Sequence, residues 1–189
     1  MKFATEELIQ DLILRTERVI KQVHRYRELD PIQLNHKTHS ASWSKLECLE
    51  HLNLYGDFYL PEMERNILSS PRKKVDVFKS GIIGNYFAKL MLPKPNGELK
   101  KMKSPVDKQP TSSQLSITTI DRFLKQQEQL LRLLELAKQV DLTKTKTAIS
   151  ISKMIRLRLG DTFRFYVYHI ERHIAQAERV KQLNSYIVD

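Results

Sequence analysis

Four long stretches of this chain repeat apolar residues at intervals of three and four, the spacing of one helix face, and that pattern leaves little room for a sheet-dominated fold. The first covers residues 5–26 and carries Leu8, Ile9, Leu12, Ile13, Val19, Ile20 and Val23. The second opens at Ser44-Lys45-Leu46-Glu47, a capping box in which Ser44 accepts from the Glu47 amide while Glu47 reaches back. Pro61 lies well inside this helix, and a kink is expected there. The third covers residues 118–140, with Ile120, Phe123, Leu124, Leu130, Leu131 and Leu134 facing inward and Thr118 or Thr119 as its cap. The fourth covers residues 161–183 and is capped by Gly160-Asp161. Tyr166, Ile170, Ala177 and Val180 form its apolar stripe, and Arg164, Glu171, Arg172, Glu178, Arg179 and Gln182 its wet face.

Together these segments predict an all-α protein, a four-helix bundle with a long insertion after the second helix. At 189 residues the chain is expected to be one domain, 1–189, able to bury roughly two-thirds of its unfolded surface. Residues 30–42 and 141–147 read as polar connections. Residues 149–159 alternate as a strand does, yet no pairing partner is evident. Within the insertion, residues 81–92 are apolar enough for a short helix, with Ile82, Ile83, Tyr86, Phe87, Leu90 and Met91 lying over one end of the domain until Pro93 stops it.

The net charge of +10 suggests a nucleic-acid binder until it is mapped along the chain. Residues 70–110 hold ten basic against three acidic side chains and five of the seven prolines, so most of the excess sits in one basic, Pro-rich insertion, residues 70–115. Two readings stay open: a solvated lysine-rich connection, or a docking surface for an anionic ligand or partner. Nucleic acid ranks last as a partner, because the insertion lacks aromatics arranged for stacking and the helices offer no recognisable reading motif. The lone Cys48 excludes an internal disulfide and the multi-cysteine zinc sites, which suits a reducing cytoplasm. No stretch approaches the roughly 18 apolar residues of a membrane span and no signal-like segment opens the chain, so a cytoplasmic protein without a membrane partner is expected.

Three of the six histidines bear on function. His169 and His173 are one helical turn apart and fall within the apolar stripe of the fourth helix, where both imidazoles turn toward one point. His51 shares its helix face with Cys48, Leu52, Tyr55, Phe58 and Tyr59. Burying three imidazoles without partners is costly, and one shared divalent cation satisfies a lone pair from each. The competing account makes each an ordinary core histidine bonded to a carbonyl or a tyrosine. Near them, Gln176 is placed to hold an imidazole or a bound water, or else is a surface-edge residue. Glu47 is an outer acceptor or simply the capping residue, and Cys48 a metal contact or core. His24, His36 and His39 lie outside this pattern and read as solvated.

The run Trp43-Ser44-Lys45-Leu46-Glu47-Cys48-Leu49-Glu50-His51-Leu52, followed late in the chain by Leu159-Gly160-Asp161-Thr162 and by His169-Ile170-Glu171-Arg172-His173-Ile174-Ala175-Gln176, resembles the DinB/YfiT-like superfamily. The resemblance implies a four-helix bundle and a divalent metal, zinc or nickel, held by His51, His169 and His173 with positions left open to water or substrate. It also implies a homodimer and a small-molecule substrate. Activities in that superfamily include transfer and isomerisation dependent on low-molecular-weight thiols, and many members carry a metal-dependent hydrolase label. Three imidazoles with an open position are the ligand set of a catalytic rather than a closed structural site. The expected function is therefore a metal-dependent enzyme, a thiol-dependent S-transferase or hydrolase. The alternative is a non-catalytic, stress-associated helical bundle whose metal stabilises the fold. The basic insertion departs from the common layout, so no relative's substrate carries over.

Overall fold

The apolar stripes become buried helix faces in the computed structural model, which describes residues 1–93, 102–110 and 115–180. In chain order the elements are β1 (Lys2–Ala4), α1 (Thr5–His24), α2 (Pro31–Asn35), α3 (Lys45–Ser69), β2 (Val77–Lys79), α4 (Ile82–Met91), α5 (Ile117–Ala137), β3 (Lys146–Ile149), β4 (Ser152–Arg158) and α6 (Leu159–Glu178). The four long helices, α1, α3, α5 and α6, pack in a ring in which α1 and α3 each touch both α5 and α6. This is a predominantly all-α helical bundle. Among the described residues, no helix is long and apolar enough to cross a membrane.

Each long helix is amphipathic for a reason visible in its sequence. In α1, Leu8, Ile9, Leu12, Ile13, Val19 and Val23 are buried, Glu6 and Glu7 sit in the first turn, and Lys21 and His24 sit in the last, so the charges oppose the helix dipole. Burying a leucine or isoleucine of this kind contributes about 1.5–3 kcal/mol. At the start of α3 the Ser44–Glu47 capping box forms as expected, with both reciprocal bonds made. The helix then runs through Pro61 as one element from Lys45 to Ser69.

Several expectations are corrected. The cap of α5 is Ser116, whose hydroxyl accepts from the Thr118 amide, rather than Thr118 or Thr119. Helix α6 begins at Leu159, ahead of the expected Gly160-Asp161 cap, and Asp161 is fully buried. Its expected end at 183 and the wet-face residue Gln182 lie outside the described residues. Arg164 leaves the wet face altogether and is buried, its charge neutralised by Asp161 at 3.1 Å. The segment that alternates without an evident partner does have one, because β4 pairs antiparallel with β3, which begins in the stretch read as a polar connection and ends at Ile149. The 30–42 connection also holds the short α2, set by an Asp30–Gln33 capping box with Pro31 in its first turn.

The basic insertion is more ordered than a loop. β2 pairs antiparallel with β1, matching Phe3 with Phe78, and α4 packs on α6. The face of α4 differs from the expected one: Gly84, Ala88 and Met91 are buried, while Ile82 is 93% exposed and Ile83 and Tyr86 are also exposed. The reason is close approach. A Cβ on Gly84 would lie 2.5 Å from the Cβ of Asp161, so only glycine lets α4 come down onto α6 at this crossing.

Candidate metal centre

Helices α3 and α6 run side by side in opposite senses, because His51 faces His169 and His173 while Tyr59, two turns on, faces the earlier Phe165. His51 and His169 are buried and His173 is half-buried. One ligand-capable atom from each lies within 4.8 Å of the others, an arrangement that can hold a metal ion. Among the described residues no carboxylate or thiol joins the group.

The bonds made by the outer nitrogens decide which inner nitrogens are free. His51 Nδ1 lies 2.6 Å from the carbonyl oxygen of Lys108, which can only accept, so Nδ1 carries the proton and Nε2 keeps its lone pair. His173 Nδ1 donates to Gln176 Oε1 at 3.0 Å, with the same result. His51 Nε2 and His169 Nε2 stand 3.3 Å apart. Two ligand nitrogens of a tetrahedral zinc, each about 2.0–2.1 Å from the ion, are separated by about 3.3–3.4 Å, so this pair has the spacing of a ligand pair. His169 Nδ1 is buried without a hydrogen-bond partner among the described residues. Its ring is fixed by aromatic packing instead, with Tyr55 at 4.4 Å and Phe165 stacked at 5.7 Å.

Burial also sets the protonation state. Desolvation pushes His51 down to about 4 and His173 down to about 3, and it pushes His169 well below the usual histidine range, with the neighbouring imidazoles adding to the effect for His169 and His173. All three are therefore neutral at pH 7, the form a metal requires.

A cleft of about 780 Å³ opens onto the cluster. Trp43 packs against the His51 and His173 rings at 4.8 and 5.7 Å and forms one wall. Of the other residues singled out in the sequence, Gln176 lines the cleft and holds His173. Glu47 is engaged in its capping box and in an ion pair with Lys37 at 2.7 Å, away from the cluster. Cys48 is fully buried, outside the cleft lining, and burial pushes its thiol up to about 12, which leaves it an inert core residue. Arg172, Arg179 and Lys103 reach the cleft, and so does His39, expected to be merely solvated. The two arginines are corrected from the wet face on which the sequence reading puts them, since His169 to Arg172 and Gln176 to Arg179 are each three residues apart and both arginines line the cleft. The Lys108 carbonyl had no legible signal, because any residue could supply it.

A helical bundle with three neutral imidazoles converging beneath a cleft defines a class of candidate metal proteins. The sequence model of the DinB superfamily matches residues 15–177, and the chain belongs to that superfamily. No curated protein and no solved structure matches the chain.

Proposed function

We propose that the chain holds a divalent metal, zinc or nickel, through His51, His169 and His173, and that it is an enzyme acting on a small molecule by thiol-dependent S-transfer or by hydrolysis. The observation that carries this reading is the convergence of three deprotonated imidazoles at the floor of a cleft large enough for a small substrate. A structural zinc site is closed by four protein ligands, whereas among the described residues this cluster offers three and opens onto a cleft. When bound, the metal supplies Lewis acidity, lowering the pKa of a water or thiol or polarising a carbonyl. The chain supplies the rest. The Lys108 carbonyl and Gln176 fix the tautomers of His51 and His173, and Trp43, Tyr55 and Phe165 pack their rings against the imidazoles.

Elemental analysis of the protein purified without a histidine tag tests the reading. Near one equivalent of zinc or nickel is expected in the wild type, with loss in both His169→Ala and His51→Ala while far-UV circular dichroism is retained. A wild type that stays empty after incubation with both metals ends the proposal. Metal-loaded protein is then expected to turn over a thiol with an electrophile or to hydrolyse an amide or ester, with activity lost on chelation.

A further inference from the structure

We propose that Lys108 is a positioning residue for the metal centre: its ammonium and its own carbonyl grip α3 at two points, and through this grip the basic insertion holds the His51 ring in the tautomer that offers Nε2. The inference rests on the reading above in taking His51 as a ligand. It deepens that reading by assigning the ligand's orientation to a side chain of the insertion.

Residues 104–109 form one closed turn. Val106–Lys108 is a single turn of 3-10 helix opened by Pro105, with the Lys108 amide donating to the Pro105 carbonyl at 3.0 Å and the Gln109 amide to that of Val106 at 3.2 Å. The Gln109 side-chain amide reaches back to the Ser104 carbonyl at 3.1 Å, which ties the two ends together. Pro105 and Pro110 restrict the backbone on either side. Such a unit moves as one piece, so its place is decided by what fastens it. Val106 is 83% exposed, and its apolar side chain does not dock the turn. Lys108 does. Its carbonyl oxygen accepts from His51 Nδ1 at 2.6 Å, and its Nζ donates to the Leu54 carbonyl at 3.1 Å. Leu54 follows His51 by three residues on α3, about 4.5 Å along the axis, so one residue of the insertion holds the helix on both sides of that step.

A lysine in a loop ordinarily keeps its ammonium in water. The Lys108 side chain is only 14% exposed, and its Nζ lies 6.0 Å from the centre of the Tyr55 ring, which packs on His169 at 4.4 Å. The Nζ also stands 3.6 Å from the Asp107 carboxylate, but that ion pair is internal to the turn and does not fasten it to α3. The bond to Leu54 does, and it is charge-assisted, stronger than a bond between neutral groups. The Ser104 hydroxyl, 3.4 Å from His51 Nδ1, is carried by the same unit. Without the ammonium the turn keeps its internal bonds but loses its place, and Nδ1 loses a fixed acceptor. The proton then moves between the two ring nitrogens, and Nε2 offers its lone pair for only part of the time.

The test compares the full chain with Lys108→Met, which keeps the apolar stem and loses the ammonium, and with Lys108→Arg, which keeps a cationic donor. In EDTA-treated protein at neutral pH, long-range proton–nitrogen correlation spectra read which nitrogen of each imidazole carries the proton, the His51 signals being assigned by their loss in His51→Ala. The wild type is expected to show His51 protonated on Nδ1 alone. Lys108→Met should move both nitrogen signals toward the average of the two tautomers, and Lys108→Arg should restore the wild-type pattern. Zinc affinity, read by competition with a chromophoric chelator, is expected to fall about 10–100-fold in Lys108→Met and to stay within about threefold of wild type in Lys108→Arg. A His51 pattern unchanged in Lys108→Met overturns the proposal whatever the zinc affinity does, since weaker binding then reflects a general loosening. An arginine variant that behaves like the methionine variant overturns it too. Because the tautomer is read without metal, a wild type that binds no zinc ends the metal reading, and the spectra still decide whether Lys108 holds His51.

Discussion

Asp161→Ala is expected to cost about 3–5 kcal/mol of stability, a fall in Tm of about 6–20 °C for a chain of this size. Asp161 is fully buried and takes hydrogen bonds from the Ser80 hydroxyl, from the Gly81 amide at 2.7 Å and from Arg164 at 3.1 Å. Arg164 is itself buried, also bonds the Asn85 side chain at 3.2 Å, and lies over the Phe3 ring at 4.5 Å. Removing the carboxylate leaves a guanidinium charge inside the protein with only neutral partners, which is far costlier than losing a surface pair. The double variant Asp161→Leu/Arg164→Met is expected to recover most of the loss, since it removes the charge and its partner together. Urea unfolding followed by circular dichroism measures both, and an Asp161→Ala midpoint within about 1 kcal/mol of wild type would falsify the account. The pair also bears on the cleft. It ties β2 and α4 to α6, and α4 brings Phe87 and Met91 to the cleft wall, so the single variant is expected to loosen that wall before the bundle unfolds.

How far such features were legible follows from the range over which each residue's partners act. The stripes of α1, α3, α5 and α6 could be read because helix burial is periodic and local, and the Ser44–Glu47 box because both partners lie within one turn. The burial of Arg164 could not. Its partner Asp161, three residues earlier, looks like any surface ion pair, and the groups that enclose it, Ser80, Asn85 and Phe3, come from the insertion and the N-terminus. The partner of β4 was hidden because the buried positions that lead into β3 are threonines, while the apolar Ile149 comes only at its end. Thr145 and Thr147 are buried between exposed lysines, and the Thr147 hydroxyl bonds that of Thr162 at 2.6 Å, so alternation of threonine with lysine reads as a polar connection.

The candidate site divides along the same line. His169 and His173 are a local pair, and the motif around His51 marks the third position, so the cluster itself was legible. What orients the imidazoles was legible only for His173, through Gln176 three residues on. The carbonyl of Lys108 reaches His51 from 57 positions away in the chain, and Tyr55 and Phe165 enclose His169 by tertiary packing. The insertion, read from sequence as either a solvated connection or an anion-docking surface, supplies Lys103 to the cleft. Lys94, Lys100 and Lys101 lie outside the described residues.

The metal-free protein is expected to lose about 5 kcal/mol between pH 6.5 and pH 5, an amount comparable with the whole stability of a typical domain. In the folded state burial holds His51 near 4, His173 near 3 and His169 well below its usual value of 6.5. In the unfolded chain all three take up protons near 6.5. The folded pKa values are depressed, so below pH 6.5 the unfolded state binds protons the folded state refuses, and stability that is present above pH 6.5 is lost as the pH falls toward the folded values. Each imidazole contributes about 0.7 kcal/mol per pH unit at pH 6.5, rising toward about 1.4 by pH 5.5, and the three together come to about 5 kcal/mol over the window. The urea midpoint of EDTA-treated protein should therefore drop steeply from pH 6.5 to 5, above the range in which most carboxylates titrate. In His169→Leu the slope should shrink by about a third. A flat midpoint across this range would mean that the imidazoles accept protons inside the fold, and the cluster would then not be the neutral ligand set that a metal needs. If the slope is present, a saturating metal that binds only the folded state adds stability at neutral pH, and because protons compete for the same Nε2 lone pairs that gain should fade over the same acid window.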